Sequence, residues 1–178
     1  LVSWARDVYK RQDYDNAFAR YSKTMENKTM PLYSWDLFST YFDKLKTSVL
    51  DSGKLKLLSK NNKWIENWDF NAELQKENVI VVTDTDLNIV FASQNIIEMT
   101  GYSSEEILGK NPKIFQGKNT SLLERKAIRE AISLQKPFNK TIVNYKKNGE
   151  AYVCQIKGFP VFNMKNELVN FVAFEKAA

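Results

Sequence analysis

Histidine is absent from the 178 residues of this chain. That removes the usual general base near neutral pH, the commonest metal ligand and the proximal ligand of many haems. A Ser-His-Asp triad and a histidine phosphoacceptor are excluded, and the single cysteine, Cys154, has no histidine to activate it. One cysteine also excludes an intrachain disulfide, in keeping with a reducing compartment. Long hydrophobic runs are missing as well. The longest falls far short of the ~20 residues a bilayer-spanning helix requires, and no signal-type apolar segment opens the chain. A soluble, cytoplasmic protein with no membrane attachment is expected. Nor is there a basic block: the net charge of +5 comes from Lys and Arg scattered along the chain, whereas nucleic-acid binding shows as a clustered patch, so no nucleic-acid partner is expected. No acid–base pair or metal constellation stands out, and an enzyme is not expected.

What is present is the balance of a globular protein, 43% hydrophobic and 26% charged. The length suits one ordinary domain with a substantial extension. Residues 1–12 (LVSWARDVYKRQ) read either as a non-native leader or as a fragment of an upstream helix. Residues 13–77 form a helical N-terminal extension. In it Tyr14, Phe18, Tyr21 and Met25 share one helix face. After Pro31, Ser34 offers an N-cap, and Trp35, Phe38, Phe42, Leu45 and Val49 repeat at spacings of three and four, with Gly53 closing this second helix. The seam is too short to choose between packing on its own domain and a dimeric coiled coil. Leu55, Leu58, Ile65 and Trp68 suggest a third, weaker helix before a connector.

At Val79 the pattern changes. VIVVTDTDLNIVFAS reads as strand, polar turn and strand. Ser93 and Ser103 open short helices. A longer helix spans Ser121 to Gln135, with Leu122, Ala127, Ile128, Ala131 and Ile132 as its buried stripe and Pro137 as its stop. Phe138–Lys146, Ala151–Phe162 and Leu168–Phe174 complete the chain as strands, joined at Lys147-Asn148-Gly149 and at Asn163 to Asn166. An α+β domain follows, with helices on one face of a five-stranded antiparallel sheet.

This order, with the strings FASQNIIEMTGYSSEEILGKNPKIFQG, NYKKNGEAYVCQIKGFPVF and ELVNFVAFEK, resembles the PAS superfamily over residues 78–176, and most closely its LOV branch. TGYSSEEILGK is widespread among PAS domains; NPKIFQG, set against the LOV pattern NCRFLQG and followed by NYKKNG, is more specific. The resemblance implies a ligand pocket. Asn111, Gln116 and Asn144 match side chains that hold the ribityl chain and polar edge of the flavin in LOV domains. Lys113 stands for one phosphate-binding arginine and Arg129 keeps the other. Pro112 stands where LOV domains carry the photoactive cysteine, so the thiol adduct cannot form there. Cys154 falls where a second asparagine meets the ring, and Glu175 where a glutamine relays the signal. An ionised Glu175 accepts a hydrogen bond but cannot donate one.

From this resemblance the expected function is a non-enzymatic PAS sensory or signalling module that binds a small ligand and a protein partner or a second copy of itself, and forms no adduct in light. Two alternatives stand beside it. One is a short LOV-like photoreceptor or redox sensor holding FMN; the other is a ligand-free interaction or dimerisation domain. Inward-facing Asn144 is the strongest single pocket candidate. Asn111 and Gln116 serve equally well as partners for loop backbone groups, and Cys154 reads most simply as a small buried hydrophobe.

Overall fold

The computed structural model describes the backbone of residues 33–178 and the side chains of residue 39 and residues 41–178. The leader and the helix expected over Tyr14–Met25 lie outside the described residues. The chain forms two compact units, Leu1–Tyr41 and Phe42–Ala178, and the sheet belongs to the second.

Helix α1 spans Tyr33–Asn61 and the short α2 spans Phe70–Gln75. Strands β1 (Val79–Thr83) and β2 (Ile89–Ala92) follow, then α3 (Ile96–Thr100), α4 (Ser104–Ile107) and a 3-10 turn at Pro112–Phe115. Helix α5 (Leu122–Ser133) precedes β3 (Phe138–Tyr145), β4 (Ala151–Phe162) and β5 (Leu168–Ala177). The strands form one sheet in the order β2-β1-β5-β4-β3, and every neighbouring pair is antiparallel.

Local chemistry accounts for the turns. Asp84 Oδ1 accepts from the backbone N–H of Asp86 (3.0 Å) and Asn88 (2.8 Å), closing the β1–β2 hairpin. Asn163 Oδ1 does the same for Lys165 and Glu167 between β4 and β5. Ser103 and Glu106 make a reciprocal capping box at α4, and Ser121 caps α5.

β1 is buried along its whole length because both faces of the sheet are covered. Val79 and Val81 join Ile89, Ile96, Met99, Ile107, Phe115, Ile142 and Cys154 on the side of the short helices. Ile80 and Val82 join Phe91, Val161, Val172 and Phe174 on the other, where Leu55, Trp64, Phe70 and Leu74 of the extension close the second core. Alternate residues of one strand therefore serve two different cores. A polar clamp ties this second layer down. Asn170 of β5 accepts from Asn62 Nδ2 (2.8 Å) and Trp64 Nε1 (3.0 Å), and donates to the Thr83 carbonyl (3.0 Å).

Four expectations are corrected here. Gly53 does not end α1, which continues to Asn61. Glycine is disfavoured in a helix by about 1 kcal/mol, and burial outweighs it: Leu55 is fully buried, and Asp51 accepts from the Gln94 N–H at 2.7 Å. For the same reason no separate third helix covers Leu55 to Trp68. Leu55 and Leu58 lie on α1, Trp64 bridges to Asn163, and α2 begins at Phe70, capped by Asp69. The seam residues Phe42 and Val49 are exposed, and the buried face of α1 begins at Asp51, because the sheet's apolar face is met only by the end of the helix. On α5, Leu122 is also exposed rather than buried. It sits in the first turn, ahead of the part of the helix that faces the sheet.

Candidate functional site

Between α5, the 3-10 turn and the inner face of the sheet lies a cavity of about 320 Å³. That is at the lower end of small-molecule sites, roughly 300–1,000 Å³, and far above the space a trapped water requires. The loop that forms one wall is pinned to the sheet. Thr120 Oγ1 accepts from the Gly117 N–H (2.8 Å) and donates to the Val143 carbonyl (2.7 Å), while Tyr145 Oη accepts from the Asn119 N–H (2.9 Å).

The body of the cavity is apolar, with Val81, Ile128, Ile132, Phe138, Ile142, Ile156 and Phe171 in its walls. Gly158 leaves room there for the Phe138 ring. A Cβ at this position would overlap the Phe138 ring, which is paired across β3 and β4 and lies over the glycine. Three cations, Lys113, Arg125 and Arg129, also line the cavity, and Lys113 and Arg129 reach solvent. None of the three takes part in an ion pair among the described residues.

Six of the seven positions singled out in the sequence, Asn111, Lys113, Gln116, Arg129, Asn144 and Glu175, converge on this one cavity. Asn111 has two tasks: its Oδ1 accepts from the Lys113 N–H (3.1 Å), capping the 3-10 turn that Pro112 opens, and the residue also lines the cavity. Gln116 Oε1 and Thr83 Oγ1 are buried with no partner among the described residues. Buried polar atoms are rarely left so, and both residues line the cavity. Asn144 is buried on β3. Cys154 lies outside the cavity lining, fully buried, with its Sγ donating to Glu175 Oε2 at 3.7 Å.

Around Glu175 burial favours the neutral forms of the titratable groups. Burial pushes the Glu175 carboxyl up from its ordinary 4.5 to about 7, opposed only by the Cys154 S–H. Burial also raises the Cys154 thiol well above the ordinary thiol range, and the neighbouring Glu175 raises it further. The Tyr152 phenol is raised first by burial and then by Cys154 and Glu175. A thiol held protonated in this way is a poor nucleophile.

Arg125, Thr83 and Phe171 are cavity residues that sequence reasoning missed. Arg125 carried a signal: it precedes Arg129 by four residues, the spacing that puts two side chains on one helix face, as with Ile128 and Ile132. Among the described residues no cluster of His, Cys, Asp or Glu suits a metal ion, and no helix is long and apolar enough to cross a membrane.

A family model described as "PAS domain" matches residues 76–176, more than half of the chain, and the chain belongs to that family of sensory modules. LOV-domain proteins stand among its relatives. It is 39% identical over 85 residues to the blue-light-activated histidine kinase of Brucella canis, covering 48% of this chain and 17% of that protein. It is 40% identical over 88 residues to Protein TWIN LOV 1 of Arabidopsis thaliana, covering 49% of this chain and 22% of that one. The chain thus spans about a fifth of the length of these curated relatives. Among solved structures, the light state of the blue-light photoreceptor Aureochrome1 LOV matches with a TM-score of 0.55 at 29% identity, over 59% of this chain and 85% of that one. The structure described as "Flavin Analogue Sheds Light on Light-Oxygen-Voltage Domain Mechanism" matches with a TM-score of 0.58 at 23% identity, over 63% and 86%, a likeness of fold alone.

Proposed function

We propose that this PAS domain senses a phosphorylated flavin held non-covalently in the cavity, and reports its state through the strand that borders both cores. One observation carries the reading: six of the seven positions matched to LOV flavin contacts line a single cavity, together with cations that make no ion pair and buried polar atoms without a partner among the described residues. Those features fit the group. Lys113, Arg125 and Arg129 would take an anionic tail, and Gln116, Thr83, Asn144 and Glu175 would meet a polar ring edge between apolar walls. A bound flavin supplies visible absorption and redox chemistry. The chain orients it, excludes water and offers no thiol to attack it: Pro112 has no nucleophile, and Cys154 Sγ faces Glu175 behind the wall. A ligand-free interaction domain fits less well, since a closed core holds few voids larger than a water molecule and this cavity measures about 320 Å³.

Output would pass along β5, where Glu175 of the cavity adjoins Phe174 of the second core. A protein partner or a second copy would read the change from the helical extension. Denaturing the purified protein and chromatographing what is released tests the reading. A stoichiometric phosphorylated flavin supports it, and a preparation that neither carries one nor takes one up on refolding refutes it.

A further inference from the structure

Among the described residues Glu175 is the one carboxylate in the cavity lining, and it is only 6% exposed. On β5 it pairs with Val79 of β1 and Ile156 of β4, so neither neighbouring strand sets a countercharge against it. Also from β4, the Cys154 thiol donates to its Oε2, and the Tyr152 phenol stays neutral. The polar group that β3 brings to the cavity is the Asn144 amide, and the residue closing the 3-10 turn brings the Gln116 amide. The cations Lys113, Arg125 and Arg129 line the same cavity, yet none pairs with Glu175. A carboxylate ion stripped of water without a countercharge is strongly disfavoured, whereas the acid is not.

We propose that Glu175 meets the ligand as a neutral acid, its O–H donating to an acceptor on the ligand's polar edge and its carbonyl accepting from an adjacent N–H, so that filling the cavity fixes one proton at this carboxyl. The proposal rests on a flavin-type ligand filling the cavity. It also answers a difficulty of that reading, because a neutral carboxyl offers the donor and acceptor that an amide would offer and an ion cannot. Burial alone already raises this group to about 7, so that the acid form is well populated at neutral pH before any ligand binds. A ligand that displaces the remaining water favours the acid further. Binding and proton uptake are then linked: affinity is level in acid and falls about tenfold per pH unit above the midpoint.

The test is a titration of the full-length apoprotein with FMN across the neutral range, for the wild type and Glu175→Gln, with riboflavin as a control that lacks a titrating phosphate. The wild type should lose about tenfold in affinity per pH unit above about pH 7, while Glu175→Gln binds with no such slope. In infrared spectra the FMN-bound wild type should show a protonated-carboxyl band at neutral pH that Glu175→Gln lacks. The same slope in both proteins, or no such band with FMN bound, overturns the proton coupling and leaves the flavin reading intact. If FMN and riboflavin fail to bind at any pH, the flavin reading falls. The ligand-free protein then decides for the carboxyl: a band that disappears through neutral pH in the wild type only supports the neutral acid, and its absence overturns it.

Discussion

At Glu175 a single side chain links stability to pH. Its folded-state value, about 7, lies above the ordinary 4.5, so between these limits the folded protein binds more protons than the unfolded chain. Stability is therefore full in acid, declines as pH rises through this window and levels off above it, a loss of about 3 kcal/mol if the group acts alone. Glu175→Gln, which keeps the shape and removes the titration, should unfold at nearly the same denaturant concentration at pH 5 and pH 8, whereas the wild-type midpoint should drop. This side chain shows what was legible in the sequence and what was not. Its position in the site could be matched by resemblance, as could Asn111, Lys113, Gln116, Arg129 and Asn144. Its protonation depends on burial and on the absence of a countercharge, which only the fold reveals. Thr83 escaped because nothing in its neighbourhood marks it as facing inward, and the four-residue spacing of Arg125 and Arg129 puts them on one helix face without saying what that face meets.

For the elements, boundaries followed local chemistry wherever a side chain bonded the backbone. The turns at Asp84 and Asn163 and the caps at Ser103 and Ser121 were legible for that reason. Gly53 was misleading because its local preference opposes a tertiary one: α1 runs through it to reach Leu55 in the second core. A Cβ at Gly53 would meet nothing within 4 Å. Gly53→Ala should therefore stabilise the protein by about 0.5–1 kcal/mol through the lower backbone entropy of the unfolded chain, seen as a higher midpoint in urea. An unchanged or lower midpoint would mean that the helix does not persist through this position in solution.

For the whole molecule, the sheet is a partition with a core on each side, and the part of the extension from Leu55 to Leu74 is structural rather than an appendage. A chain beginning at Asn78 would keep the cavity face but uncover Ile80, Val82, Phe91, Val161, Val172 and Phe174. Exposed apolar patches of this kind drive association. Light scattering should show that shortened chain as a dimer or larger, and more soluble behaviour with a monodisperse monomer would show that the second core contributes little. The five-stranded sheet could be read from strand composition and turn chemistry. That its outer face is covered by Leu55, Trp64, Phe70 and Leu74 could not, because the same apolar spacing serves a dimer seam equally well.

The aromatic side chains of that outer core give the molecule a reporter of its own. Trp68 lies 5.8 Å from Trp64 and 6.2 and 6.3 Å from Phe159 and Phe174, measured between ring centres. Phe159 and Phe174 are the chain neighbours of Gly158 and Glu175 in the cavity wall. The two indoles stand one strand's thickness from the cavity without touching what fills it. With the chain's other two tryptophans, Trp4 and Trp35, replaced by phenylalanine, their emission can thus register whether the cavity is full, and a stopped-flow trace of that light would time the passage of the signal through the sheet.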